Sequence, residues 1–235
     1  HPPLPIQRKI AFILSAYDDL IENNTRRIKI LEEMAQAIYR EWFVNFRFPG
    51  HENVKMVESE LGLIPEEWEV MKLGEVADIN KASLKPNGAP NVINYIDIAS
   101  VSPGCIDEVQ RLRFAEAPGR ARRLVKHGDI IWSTVRPNRR SYALIQQPSP
   151  DTVVSTGFAV ISAATLPYSY LYAALTTDAF VAYLTNRAKG SAYPAVCRED
   201  FDCAPVLVPP VQLREQFHAN ASEILSLADT LRKKN

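Results

Sequence analysis

The sequence predicts a mixed α/β (α+β) domain flanked by a long N-terminal coiled-coil helix and a shorter C-terminal helix that packs back on the first, antiparallel. Three observations predict it. Apolar residues keep a helical period from Ile6 to Phe46, short apolar runs broken by Pro and Gly fill the middle, and the start of the chain recurs near its end. The corresponding boundaries are residues 1–48, 49–208 and 209–235.

In the first segment Ile10, Tyr17, Asn24, Leu31 and Ile38 form one column of sevens. Ile6, Ile13, Leu20, Arg27 and Met34 form a second, and Leu14, Ile21, Ile28, Ala35 and Trp42 a third. No Gly or Pro falls between Gln7 and Arg47, so a helix of about 40 residues, roughly 60 Å, is expected. Asn24 and Arg27 interrupt the seam. Either a buried polar group fixes its register there, or the stretch is frayed and solvated. Phe48-Pro49-Gly50 stops the helix.

Residues 52–80 carry eight acids against two bases, a local net of −6. Beyond them Tyr95 to Ile98, Asp129 to Thr134, Tyr142 to Ile145 and Thr152 to Ile161 read as strands. Tyr168 to Leu175 and Asp178 to Arg187 read as helices. Pro2-Pro3 with Ile6, Ile10, Tyr17, Leu20 and Asn24 then matches Pro209-Pro210 with Leu213, Phe217, Ile224, Leu227 and Leu231 at a constant offset of 207 residues. Two amphipathic helices of matching pattern should pack together. Ile10, Ile13, Tyr17 and Leu20 on the first, and Phe217, Ile224 and Leu227 on the second, are the expected contacts.

Composition excludes several functions. The 27 Lys and Arg balance the 27 Asp and Glu, so the chain is no polycation, and 46% hydrophobic content excludes bulk disorder. Three cysteines, Cys105, Cys197 and Cys203, have no metal-ligand spacing and are expected to be small buried hydrophobes in a reduced, cytoplasmic setting. No apolar run reaches the length of a membrane span, and the start lacks the features of a signal peptide. Phosphate-loop, nucleophile-elbow and zinc-protease motifs are absent, as are the Asn-Pro-Pro-Tyr/Phe and Phe-x-Gly-x-Gly marks of amino-methylating DNA enzymes. No catalytic residue, metal site or cofactor of this chain's own is therefore expected.

The strongest charge feature spans residues 111–142, with nine bases against Glu116 and Asp129, a net of +7. If they share a face they would balance phosphates, and Arg can bridge guanine O6 and N7 in the major groove. A solvated face, or pairing with the acidic segment, is the other reading. Arg111, Arg113, Arg136, Asn138, Arg139 and Arg140 are the leading candidates for duplex DNA. Lys189, Ser191 and Tyr193, in a turn-rich loop, could equally meet DNA or cap a sheet. Trp132 is expected in the core.

These segments resemble the specificity subunit (HsdS) of type I restriction-modification systems. Pro2 to Ile10, Asp19 to Asn24 and Tyr39 to Val44 resemble its central conserved helix. Gly62 to Trp68 resembles the start of a target recognition domain, and Gly128 to Ile131, Val153 to Phe158 and Pro209-Pro210 resemble its interior and exit. The resemblance implies a non-catalytic reader of one half of a bipartite target. Methylating subunits, which bind adenosylmethionine, and restriction subunits would be its partners. With one recognition domain rather than two, the chain is either the C-terminal half of a longer subunit or a half-subunit that forms a homodimer through its long helices. A scaffold that binds only protein, and an unrecognised nuclease, are the rival functions.

Overall fold

The computed structural model describes residues 2–85 and 87–235. Its first helix, α1, runs from Leu4 to Tyr39, 36 residues or about 54 Å. Pro3 is its N-cap, and the prolines lose nothing in the first turn, where amide groups have no helical partner. The helix leaves α geometry before the Phe-Pro-Gly stop. Arg40–Val44 form a π-helical turn, in which the Asn45 amide donates to the Arg40 carbonyl (2.8 Å).

The turn lies where the helix joins the main core. Tyr39 and Phe43 are both buried, and the Phe43 ring meets Tyr170 edge-on at 4.9 Å and Phe217 at 5.3 Å. Trp68 closes the same cluster at 5.8 Å from Phe43. Aromatic pairs at such angles add to the large apolar area they bury.

The described residues in the middle of the chain form fourteen strands. β1 (Met56–Ser59) and β2 (Gly62–Pro65) form a hairpin, and β3 (Glu69–Lys72) leads through the short α2 (Leu73–Val76) to β4 (Ala77–Ile79). Next come β5 (Val92–Ile96), the small hairpin β6 (Val101–Ser102) and β7 (Cys105–Ile106), then β8 (Gln110–Arg113) and β9 (Ala121–Leu124). β10 (Ile130–Ser133), β11 (Tyr142–Leu144), β12 (Thr152–Ser155) and β13 (Phe158–Ala163) follow. Helices α3 (Tyr168–Leu175), α4 (Asp178–Arg187) and α5 (Arg198–Asp202) precede β14 (Pro205–Val208), which pairs with β3. Two four-stranded sheets dominate, with strand orders β11-β10-β13-β4 and β8-β5-β12-β9. Trp132 on β10 is fully buried, as expected, and its indole N–H donates to the Leu175 carbonyl (3.0 Å).

The Thr152 to Ile161 run, expected as one strand, is two strands in different sheets. β12 pairs with β5 and β9, whereas β13 pairs with β10 and β4. The crossing falls at Gly157, where a Cβ would lie 2.3 Å from the Ile98 side chain, so the backbone passes where no side chain fits.

The final helix, α6 (Val211–Arg232), starts after Pro210 and returns antiparallel along α1. Ala228 and Leu231 pack against Ile28 and Leu31, and Phe217 reaches the rings of Tyr39 and Phe43. Arg232 pairs with Glu32, and the Asn24 side-chain amide donates to Asn235 (2.9 Å). Asn24 is thus a buried, satisfied polar residue of the seam, while Arg27 faces solvent.

The expected contact residues need correcting. Ile10, Ile13, Tyr17 and Leu20 are exposed, because α6, at 22 residues, covers only the C-terminal part of α1. On α6, Phe217 is buried, but Ile224 is only half-buried and Leu227 is 44% exposed, whereas Leu213, Ala221, Leu225 and Ala228 are buried. The seam turns inward one residue from the expected column. The cysteines also differ from expectation: all three are free thiols, but Cys197 and Cys203 are exposed and Cys105 is half-buried. Cys197 and Cys203 flank the short α5, which sits at the surface.

Candidate nucleic-acid interface

Two loops distant in sequence meet at one edge of the first sheet. The 134–141 loop joins β10 to β11, and the 188–197 loop joins α4 to α5. Val135 and Ala195 form an isolated antiparallel bridge, and Lys189 bridges Ala195. The Arg136 amide donates to the Pro194 carbonyl (2.7 Å), and the Val196 amide to the Thr134 carbonyl (2.9 Å). Thr134 is anchored in turn: its amide and hydroxyl both donate to the Gly157 carbonyl, at 2.8 and 2.9 Å. The backbones form one laced unit rather than two free loops.

Arg136 is the hinge of this unit. Its guanidinium donates to the Ala192 carbonyl (3.0 Å) and lies 4.6 Å from the centroid of the Tyr193 ring. A cation over an aromatic face is attracted by the ring quadrupole, so Arg136 holds Tyr193 in place. Arg136 and Arg140 both adopt left-handed backbone (φ 51° and 57°), which costs an L-residue about 1–2 kcal/mol each. Such strain persists only where surrounding contacts enforce it, and it concentrates at functional segments. Between the two lies a single 3-10 turn, Pro137–Arg139, with Pro137 buried and Asn138 and Arg139 exposed at its tip.

Gly190 has φ +104°, and a Cβ there would lie 3.2 Å from the Tyr193 carbonyl oxygen. The Lys189 to Tyr193 turn therefore needs glycine at that position. Lys189, Ser191 and Tyr193 are all exposed, Tyr193 to 70%.

The nine bases of residues 111–142 do not behave as one patch. Arg111 and Arg113 lie on β8, the edge strand of the second sheet, and Arg113 pairs with Glu116. Arg120 pairs with Asp97 at 2.7 Å, Arg122 lies over the Phe114 ring, and Arg140 pairs with Asp178 at 2.5 Å. Among the described residues no ion pair joins this segment to residues 52–80, where Lys55 meets Glu66 and Lys81 meets Asp78. Burial pulls the Asp97 carboxyl upward, but the Tyr95 hydroxyl, the Ala99 amide and Arg120 bring it below the usual carboxylate range.

The sequence signalled both loops through their charge and turn residues, but nothing in it signalled their union. The pairing of Arg140 with Asp178 on α4 and the anchorage of Thr134 on Gly157 were equally unreadable. Among the described residues no group of three or more His, Cys, Asp or Glu side chains is placed to hold a metal ion. No described helix is long and apolar enough to cross a membrane.

The fold and this surface define a class: a mixed α/β domain mounted on an antiparallel helix pair, presenting a rigid, basic double loop. The comparisons with known proteins show what the chain is similar to. The MjaIX type I restriction enzyme specificity subunit of Methanocaldococcus jannaschii is 24% identical over 225 residues, covering 93% of this chain and 52% of that protein. The MjaVIII specificity subunit of the same organism is 33% identical over 140 residues, 58% of this chain and 32% of that protein. Among solved structures, the HsdS subunit from Thermoanaerobacter tengcongensis is 25% identical with a TM-score of 0.58, over 75% of this chain and 46% of that one. A chain from a structure described as the basis of complex assembly and conformational transition of the type I R-M system is 28% identical with a TM-score of 0.60, over 72% and 44%. No protein-family profile matches the chain. The chain is thus similar to type I restriction-modification specificity subunits, and it spans about half or less of the length of these curated relatives.

Proposed function

We propose that this chain is the DNA sequence-recognition part of a type I restriction-modification complex, reading one half of a bipartite target. The observation that carries this reading is the laced double loop, which holds Asn138, Arg139, Lys189, Ser191 and Tyr193 exposed on one strained, braced unit. Asn can make paired hydrogen bonds to adenine in the major groove and Arg to guanine, while Lys and Ser are suited to phosphates. Arg136 and Arg140, engaged with Tyr193 and Asp178, position the loop.

The chain itself is non-catalytic in this reading. Methylating subunits, which carry adenosylmethionine, dock on the helix pair, and restriction subunits join through the complex. The compartment is cytoplasmic, where such a complex meets DNA. A scaffold that binds only protein gives no role to a strained basic loop, and a nuclease lacks an identifiable metal or nucleophile set.

The test is binding of duplex DNA across a range of salt concentrations. Asn138→Ala and Arg139→Ala alter exposed side chains at the turn tip, so the fold should be unaffected. If Arg139 neutralises a phosphate, its replacement should flatten the salt dependence by about 0.9 log units. If Asn138 reads a base, its replacement should cost roughly 1–3 kcal/mol on the target sequence alone. If both variants bind every duplex as the unmodified chain does, the double loop is not the reading surface.

A further inference from the structure

Away from the double loop, four segments bring basic side chains to the seam between the two large sheets. β4 is an edge strand of one sheet and β9 of the other, and residues 80–84 leave β4 and lie along β9. Asn80 is pinned to the first sheet, its amide donating to the Val160 carbonyl (2.8 Å) and its side chain accepting from the Val160 amide (2.9 Å). Ser83 bridges Arg123 on β9, and the Leu84 amide donates to the Arg122 carbonyl (2.7 Å). The short α5 packs against β4, and its first residue, Arg198, follows directly on the 188–197 loop. Lys81, Arg123, Lys126 and Arg198 converge there.

The acids at the seam do not balance these bases. Lys81 pairs with Asp78 (2.5 Å) and Arg198 with Asp202 (3.1 Å). Glu199 and Asp200 turn back on the amides at the start of α5. Among the described residues Arg123 and Lys126 have no ion pair, and the Arg123 Nε–H is buried without an acceptor. Burial, and then the charge of Arg198, hold the Arg123 guanidinium below its usual pKa. The side-chain bond from Lys81, and then the charges of Lys81, Lys126 and Arg198, hold the Asp78 carboxyl below the usual carboxylate range. A buried donor without an acceptor and two like charges close together are both unfavourable, and one anion between the two guanidinium groups relieves both.

We propose that Arg123 and Arg198, with Lys126 at the rim, hold a phosphate group of the DNA backbone. The guanidinium fork matches phosphate oxygens with paired N–H donors, where Lys offers only a point charge. The DNA backbone is the source because Arg198 continues the 188–197 loop, so a duplex seated on that loop passes the seam. The assignment rests on the reading of this chain as a DNA-recognition protein and adds a contact outside the double loop. A phosphate contact carries no sequence information, but it fixes the register in which Asn138 and Arg139 meet the bases.

The test follows binding of the full chain to a mixed-sequence duplex across a range of salt concentrations. Arg123→Gln combined with Arg198→Gln should flatten the salt dependence by about 0.9 log units, the loss of one phosphate contact. Adding Arg139→Ala should bring the loss to about 1.8, because the two contacts are separate. Arg123→Lys keeps the charge but not the fork, so it should keep the salt slope while weakening binding about threefold or more. Arg198→Gln with Lys126→Gln changes exposed positions only, and it should flatten the slope without touching the half-buried stem of Arg123. Lys55→Gln, at a base engaged with Glu66, should leave the slope unchanged. Circular dichroism should show the same helix content for every variant. Unchanged slopes for the seam variants, with a flattened slope for Arg139→Ala, overturn this site and leave the double loop as the reading surface. A chain that binds no duplex at any salt concentration overturns both. Inorganic phosphate separates the two sources of the ligand. If it raises the melting temperature of the unmodified chain above that in chloride of equal ionic strength, but not that of the Arg123→Gln, Arg198→Gln chain, and both bind duplex alike, the site takes free phosphate and its assignment to DNA falls.

Discussion

At the scale of single residues, the laced double loop depends on side chains that hold other side chains. The sequence offers Arg136 as a candidate DNA contact, yet in the fold its amide, guanidinium and left-handed backbone all serve to brace the neighbouring loop. Asp97 has a similar role in the second sheet, where it accepts from the Tyr95 hydroxyl (2.7 Å), the Ala99 amide (3.1 Å) and Arg120 (2.9 Å). Its folded pKa lies below the unfolded value, so it contributes stability that is fully present above about pH 4 and is lost as pH falls through the folded pKa. Asp97→Asn should therefore lower the urea midpoint at neutral pH, and the difference from the unmodified chain should shrink in acid. A difference that stays constant down to about pH 3 would show that the carboxylate charge is not what matters.

At the scale of elements, the pairing of α1 with α6 follows from their apolar faces, but its depth follows from α6's length and rotation. Leu225 is 6% exposed and Leu227 44%. Leu225→Asp should place an unpaired charge in the seam and cost several kcal/mol, roughly 3–5. Leu227→Asp, two positions away, should cost well under about 1 kcal/mol in the isolated chain. Chemical denaturation of the two variants checks the ranking, and equal destabilisation would mean that α6 sits rotated from the orientation described. Within the middle segment, the same elements show why two sheets were hard to see. The residues from Thr152 to Ile161 are almost all buried, so their pattern marks strand without marking which sheet each half joins.

At the scale of the whole molecule, the bases divide between two sheets, and a duplex could touch one group or both. Arg111 is exposed on edge strand β8, whereas Arg113 beside it is engaged with Glu116. If one duplex spans both sheets, Arg111→Ala should flatten the salt dependence of binding by about 0.9 log units and Arg113→Ala by less, because a paired guanidinium has less charge to offer. Unchanged slopes for both would remove Arg111 and Arg113 from the contact.

The sequence by itself determined what local chemistry and periodicity can determine. Heptad spacing specified the long helix, the Pro-Pro repeat specified its returning counterpart, and Arg, Asn, Lys and Tyr among turn residues marked both loops. These are properties of neighbours along the chain. Only the tertiary structure decided that the two loops form one unit, that Gly157 carries the chain from one sheet to the other, and that Leu225 rather than Leu227 faces α1. It also decided that Arg113, Arg120 and Arg140 of the charged run pair with Glu116, Asp97 and Asp178. The physical reason is common to all four. Each depends on which distant backbone groups and side chains approach within a few ångströms, and one-dimensional patterns of polarity and charge do not encode those approaches.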